Sequence, residues 1–234
     1  MWEKKTDSIK QDFLNDTKKN GRHTDVITKI IPMPKLQFVA SASLDSRIIL
    51  WDFEYKFKWA YDEHTRGIVS LAFNEALILL LSAGFDHEIF VYNPYIPTAI
   101  YRIQGHAYPL VGVEVIEGTN QIASVDTDGV VKIWDIRKFN CIQTYSIDSP
   151  NEKHQFNVES FTYIPKPLKL VMGGRSVLFC EYDKDYNPHF VDDSAAVCAE
   201  YLPQNLSLLT PTGNKVKVWN TLTGEVVKIF SGIT

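Results

Sequence analysis

Cysteine is scarce in this sequence of 234 residues, which contains only Cys141, Cys180 and Cys198. The three form no CxxC pair and no spacing typical of a metal site. An odd, sparse set does not support a disulfide framework and is typical of a reducing compartment. We therefore expect buried thiols that act as small apolar side chains, no metal site and a cytoplasmic protein.

Long hydrophobic runs and an excess of positive charge are also missing. No apolar stretch reaches the roughly 18–20 residues that a membrane-spanning helix needs, and the segment Met1–Lys19 is too charged to be a secretory signal peptide. The net charge is −4 and the pI is about 5.9, whereas nucleic-acid binding usually requires a clustered basic face. The sequence predicts neither a membrane nor a nucleic acid as partner.

Motifs of catalysis are absent too. The sequence contains no GxGxxG, no P-loop and no Gly-x-Ser-x-Gly elbow, and its histidines lack the i, i+4 spacing of a helical zinc site. We therefore predict no catalytic residue and no cofactor.

A set of polar and aromatic residues recurs at constant spacing. In each of three copies a Ser lies 18 positions, an Asp 22 positions and an aromatic residue 28 positions after a His, and successive aromatic residues are 41 and 42 positions apart. A period of about 40–45 residues is typical of propeller blades. The sets are His23, Ser41, Asp45 and Trp51; His64, Ser82, Asp86 and Tyr92; and His106, Ser124, Asp128 and Trp134.

Gly105-His106, Trp51-Asp52 and Trp134-Asp135 resemble the Gly-His and Trp-Asp signatures of the WD-repeat β-propeller family. The resemblance implies an all-β fold of four-stranded antiparallel blades, of which about five are present as a partial or complemented propeller. Short β-rich runs such as Phe38–Ser43, separated by turns such as Asp128-Gly129, support this interpretation independently.

The repeat weakens along the chain. In the fourth copy, His154 pairs with Tyr182, while Met172 and Ser176 replace the Ser and the Asp. The fifth ends at Trp219, with Val191 and Gly213 at the His and Asp positions. We predict blades at about 23–61, 62–104, 105–147, 154–192 and 193–231, and an end of a preceding blade or a linker at 1–22.

The resemblance implies that each set forms a hydrogen-bonded chain from the indole N–H through the hydroxyl and the imidazole to the carboxylate. Ser41, His23 and Asp45 also have the residue types of a hydrolytic triad. Three copies at the same spacing favour structural fasteners, because an active site has no reason to recur in every blade.

Both termini suggest an internal piece of a longer protein. A further Gly-His would begin where the sequence stops, near Ile233, and Met1-Trp2-Glu3 resembles the end of a third strand. Propellers usually contain four to eight blades. The alternative is a small propeller that closes with five blades.

The family's partner contacts come from the face that carries the His loops and the tight turns. Arg66, Phe85 and Tyr108 lie in these segments, and Arg and aromatic residues are favoured interface anchors. These three residues are therefore our candidates for binding other proteins.

A further resemblance concerns large multi-propeller WD-repeat proteins of motile cilia, carried by Gly84–Pro94 and Trp134–Cys141. It implies a non-catalytic scaffold of the cytoskeleton or the ciliary axoneme, with axonemal or microtubule-associated partners. The alternative is a substrate-recognition adaptor of a ubiquitin-ligase or signalling complex, and a hydrolase is a third class.

Overall fold

The structure, a computed structural model, describes residues 21–146, 157–165, 168–174, 177–181, 189–192, 198–212, 214–221 and 225–231. Twenty strands and one short 3-10 helix, Pro34–Leu36, lie in these ranges. His154, Ser176, Tyr182, Gly213 and residues 1–20 lie outside them, so the expectations for these positions stay predictions.

The strands form five antiparallel sheets of four, and in each sheet the strands follow one another in chain order. Each sheet is a blade of the expected type. Over the described residues, the first and last strands of each sheet are not paired with one another. The strands of blades 1 and 2 are β1 (Ile27–Met33), β2 (Phe38–Ser43), β3 (Ile48–Asp52), β4 (Phe57–Tyr61), β5 (Ile68–Asn74), β6 (Leu79–Gly84), β7 (Ile89–Tyr92) and β8 (Ala99–Ile103).

Blades 3 to 5 have shorter or less regular outer strands in places. Their strands are β9 (Leu110–Ile116), β10 (Gln121–Asp126), β11 (Val130–Asp135), β12 (Asn140–Ser146), β13 (Ser160–Pro165), β14 (Leu168–Gly173), β15 (Val177–Glu181), β16 (His189–Asp192), β17 (Glu200–Leu202), β18 (Ser207–Thr212), β19 (Lys215–Asn220) and β20 (Val226–Ser231).

Middle strands are covered on both faces. Ile48, Ile49 and Leu50 follow one another in β3, and all three are fully buried although their side chains point alternately to opposite faces. Continuous apolar runs are typical of strands that lie between two layers.

The chain divides into two compact units, Met1–Gly105 and His106–Thr234. In the first, blades 1 and 2 share a core that includes Leu50, Leu80 and Tyr92. In the second, blades 3 and 4 share another around Ile133, Tyr163, Met172 and Leu178. Blades 4 and 5 are joined by a third, around Phe179, Leu208 and Trp219.

Candidate functional site

The first set of repeated residues comes together in blade 1. His23 precedes β1, Ser41 lies on β2 and Asp45 lies in the turn after β2. His23 Nδ1 lies 3.0 Å from Asp45 Oδ2, and its Nε2 lies 2.9 Å from Ser41 Oγ. Trp51 on β3 donates from its indole nitrogen to the same hydroxyl at 3.3 Å. The four side chains thus form one connected chain of hydrogen bonds.

Blade 2 repeats the arrangement with one change. His64 Nδ1 lies 2.8 Å from Asp86 Oδ2 and Nε2 lies 2.6 Å from Ser82 Oγ. Tyr92 stands where blade 1 has a tryptophan; its buried hydroxyl lies near Ser82 but makes no well-aligned hydrogen bond among the described residues. The ring of Phe90 packs edge-on against His64 at 4.6 Å. Apolar packing therefore replaces the indole hydrogen bond.

Blade 3 corrects the predicted carboxylate. His106 Nε2 lies 2.7 Å from Ser124 Oγ, to which the Trp134 indole donates at 2.8 Å. The oxygen 2.8 Å from His106 Nδ1 belongs to Asp126, not to Asp128 as the spacing predicted. Sequence reasoning missed Asp126, although the pair of acids two positions apart was visible.

The geometry of the turn explains the exchange. In blade 1, Ser43 ends β2 and its hydroxyl accepts from the Asp45 amide at 3.1 Å. Asp126 occupies the equivalent strand end in blade 3, where its Oδ1 accepts from the amides of Asp128 at 3.2 Å and Val130 at 2.9 Å. One carboxylate, that of Asp126, therefore both closes the turn and faces the imidazole.

Burial alone would raise the pKa of the Asp45 and Asp86 carboxyl groups. Hydrogen bonds outweigh burial at both positions and lower the pKa. For Asp45 they come from the Thr24 amide, the His23 side chain and the Arg47 amide; for Asp86 they come chiefly from the His64 side chain, with the Thr65 and Glu88 amides in support. Both groups therefore hold their charge to lower pH than an ordinary aspartate does.

The repeated serines do not have the setting of a nucleophile. Ser82 and Ser124 are fully buried and Ser41 is nearly so. Each hydroxyl is in contact with its histidine and, in blades 1 and 3, also accepts from an indole. A substrate carbonyl would have to reach the hydroxyl through the packed sheet.

Blades 4 and 5 depart from the pattern. Met172 fills the expected Ser position of blade 4 and lies in the apolar core. In blade 5, the Trp219 indole donates to Thr210 Oγ1 at 2.7 Å, a partner that the spacing did not predict. A hydroxyl residue on the neighbouring strand β18 was the only available signal.

Two glutamates, the half-buried Glu63 and the buried Glu88, were also missed. Glu63 accepts from the Ala99 amide at 2.7 Å and so ties the end of blade 1 to the outer strand of blade 2. Glu88 Oε1 accepts a hydrogen bond from Gln104 Nε2 at 2.9 Å, and the Glu88 carboxylate forms an ion pair with Arg102. Their place beside apolar strands gave no distinctive sequence signal.

The three candidate partner-binding residues are all exposed. Arg66 and Phe85 lie in the first unit, where the Phe85 amide donates at 2.9 Å to the carbonyl of Gly67, the residue after Arg66. The structure thus brings these two segments together. Tyr108 lies in the second unit, two residues after His106.

Other kinds of site are not found in the part of the chain that the structure describes. No group of three or more His, Cys, Asp or Glu side chains there is arranged to hold a metal ion. No helix in those ranges has the length and apolar character to cross a membrane.

Four-stranded antiparallel blades that carry His–Ser–Asp chains define a protein of the WD-repeat β-propeller class. The sequence model described as WD domain, G-beta repeat, matches residues 17–52 and 97–135. The chain belongs to the WD-repeat family.

The chain is similar to proteins whose names refer to different cellular roles. It is 55% identical over its full length to Cilia- and flagella-associated protein 337 B of Tetrahymena thermophila, of which it spans 18%. It is 29% identical over 52% of its length to Nuclear distribution protein nudF 1 of Talaromyces marneffei, of which the match covers 28%. It is 24% identical over 54% of its length to COMPASS component SWD3 of Saccharomyces cerevisiae, of which the match covers 40%.

Proposed function

We propose that this chain is a non-catalytic scaffold for protein–protein contacts, and that it works within a larger ciliary WD-repeat protein of the axoneme. The observation that carries the proposal is the 55% identity, over the whole chain, to a cilia- and flagella-associated protein. A match of this extent covers the surface loops as well as the core, and loops on a rigid scaffold are where binding usually resides.

The His–Ser–Asp chains support the scaffold role because they fasten loops to sheets. His23 and His64 each connect the segment before a blade to its second strand and to the turn after it. Hydrogen bonds to a charged group contribute about 1.5–3 kcal/mol. Loops held in this way present their exposed side chains at low entropic cost, which favours partner binding.

Arg66 and Phe85 are the proposed partner contacts of the first unit, and Tyr108 that of the second. All three are exposed. An arginine beside an aromatic ring is a common composition of interface hot spots.

Fractionation of cilia tests the axonemal proposal. The native protein is detected by immunoblot in the soluble, detergent-extracted and salt-resistant fractions. We expect it in the salt-resistant axonemal fraction, because a structural component stays with the microtubules. Recovery in the soluble cytoplasm alone would contradict this and favour a soluble adaptor.

Matched variants test the proposed contacts. Arg66→Ala combined with Phe85→Ala should reduce co-purification of axonemal proteins at least about tenfold, as loss of hot-spot residues does. The control is Arg137→Ala, which removes an exposed arginine paired with Asp135 and should leave co-purification unchanged. Equal losses in both would contradict a specific role for Arg66 and Phe85.

A further inference from the structure

The outer strand of blade 5, β20, exposes every one of its residues to solvent. The most exposed of its large apolar side chains are Val227 at 65% and Ile229 at 53%, and Val226 and Phe230 are exposed as well. Side chains of a strand alternate between the two faces of its sheet, so Val227 and Ile229 share one face while Val226 and Phe230 lie on the other. The outer strands β4 and β8, by contrast, each end in a buried residue. β20 therefore leaves apolar surface open to solvent on both faces.

The backbone of β20 has an outer edge that can accept a further strand. Among the described strands, β20 pairs on one side only, with β19, from Val226 opposite Trp219 to Ser231 opposite Lys215. Backbone N–H and C=O groups that point away from the neighbouring strand are a template for an additional one. An added strand also places its own side chains beside those of β20 on both faces. The geometry of this edge therefore fits an extended segment.

Lysines give the same part of blade 5 a positive charge. Strands β18, β19 and β20 contain Lys215, Lys217 and Lys228 and no acidic residue, although the net charge of the whole chain is −4. Lys217 Nζ lies 5.9 Å from the ring centroid of Trp219, and Lys228 Nζ lies 4.6 Å from that of Phe230. The positive charge is therefore local and lies directly beside exposed apolar side chains.

The cations on the outer strands of blades 1 and 2 are neutralised within their own blades. Lys58 on β4 pairs with Asp52 at 3.0 Å, and Arg102 on β8 forms an ion pair with Glu88. The charge of Lys228 on β20 instead lies over an aromatic ring of its own strand. Complementary charges steer and select partners at interfaces, so the electrostatic complement of β20 is an acidic segment.

We propose that β20 binds an extended acidic segment of another protein, which adds a fifth strand to blade 5. Backbone hydrogen bonds supply the affinity in this mode of recognition, and alternate side chains supply the specificity. A carboxylate opposite Lys228 forms a cross-strand ion pair, and apolar residues of the segment cover Val227 and Ile229.

A second copy of the chain fits this edge less well. It would bring the lysines of its own blade 5 to the same edge, and like charges on neighbouring strands oppose pairing. The proposed segment is also separate from the contacts at Arg66, Phe85 and Tyr108, so the inference holds or fails independently of the ciliary role.

Titration of the full chain with a labelled Glu-Val-Glu-Val-Glu-Val peptide tests the proposal, with fluorescence anisotropy as the readout. We expect saturable binding of this peptide. A Lys-Val-Lys-Val-Lys-Val peptide should not bind, because its charge is reversed. The acidic peptide methylated at every backbone nitrogen should not bind either, because it keeps the charge but cannot donate backbone hydrogen bonds.

Charge variants locate the binding site. Lys228→Glu should weaken binding of the acidic peptide at least about tenfold, and Lys228→Arg should preserve it. The matched control is Lys138→Glu, which reverses the charge of an exposed lysine in the turn after β11 of the same unit and should leave the affinity unchanged. Circular dichroism spectra and unfolding midpoints show whether each variant keeps its fold.

Four outcomes would overturn the proposal. They are no binding of the acidic peptide by the unmodified chain, equal binding of the methylated peptide, equal losses in Lys228→Glu and Lys138→Glu, and a folded Lys228→Glu variant that binds as the unmodified chain does. The second and third would reduce the interaction to bulk charge. Dimerisation of the unmodified chain in competition with the peptide would also contradict the proposal, and would assign the edge to a second copy.

Discussion

Asp126 and Asp128 offer a matched test at the scale of single residues, because they lie two positions apart in one turn. Asp126 is fully buried and its carboxylate faces His106 Nδ1, whereas Asp128 is half-buried. Asp126→Ala should therefore lower the free energy of unfolding by about 1.5–3 kcal/mol. Asp128→Ala should lower it by less than about 1 kcal/mol.

Chemical denaturation of the two variants measures the difference. Equal losses, or a larger loss for Asp128→Ala, would mean that Asp128 supplies the carboxylate, as the regular spacing had predicted. The unmodified chain provides the reference midpoint.

The aromatic residues of the hydrogen-bonded sets in blades 2 and 3, Tyr92 and Trp134, provide a second comparison of stability. The buried Tyr92 hydroxyl lies near Ser82 without a well-aligned hydrogen bond among the described residues, and a poorly satisfied buried polar group lowers stability. Tyr92→Phe should therefore leave the unfolding midpoint unchanged or raise it. Trp134→Phe removes the indole donor to Ser124 and leaves a cavity, so it should cost about 1–3 kcal/mol.

Thermal unfolding of the two variants distinguishes these effects. A clear loss of stability in Tyr92→Phe would show that the hydroxyl makes a hydrogen bond in solution, and the explanation of blade 2 by apolar packing would then be wrong.

At the scale of elements, the turn after β3 depends on one carboxylate. Asp52 closes it through the amides of Glu54 and Lys56, and Tyr55 within it has a left-handed backbone with φ of 64°. Asp52→Ala should accelerate hydrogen exchange of those two amides about five- to tenfold, because each bond contributes about 1 kcal/mol.

Glu54→Ala is the control, since the Glu54 side chain accepts a hydrogen bond from the exposed Lys56 side chain at 2.7 Å. It should leave exchange at Lys56 unchanged. Similar acceleration in both variants would mean that the surface ion pair, rather than the Asp52 carboxylate, holds the turn.

The elements were largely predictable from the sequence because the repeat and the β-rich runs encode the same local geometry. The run Phe38–Ser43 is a strand over the same residues, and Trp51 lies on the third strand of its blade. The choice between Asp126 and Asp128 was not predictable, since the two acids lie two positions apart in the sequence and only the packed turn decides between them.

Exposure was also beyond the sequence. Tyr55 and Tyr95 have the same aromatic character as the buried Tyr61, and only the direction of the turns shows that the first two face outward. Glu63 likewise acquires its role through the Ala99 amide, 36 positions along the chain. Such long-range contacts carry no periodic signal.

At the scale of the whole molecule, acid should weaken the first unit through Asp45 and Asp86. Both carboxyl groups have a folded-state pKa below the ordinary value. A group with a depressed folded-state pKa stabilises the fold above its unfolded-state pKa, and this contribution disappears as the pH falls through the folded-state value. The loss of stability should begin at about pH 4, the ordinary pKa of aspartate.

Unfolding midpoints measured from pH 7 to pH 3 test this expectation. The double variant Asp45→Asn and Asp86→Asn should be less stable than the unmodified chain at pH 7, yet should lose less stability on acidification, because two of the titrating groups are gone. Asp62→Asn, which changes an exposed aspartate of the same unit, should keep the original slope. If the double variant and the unmodified chain respond to acid with the same slope, the two carboxylates do not control the pH dependence, and the lowered pKa values have no consequence for stability.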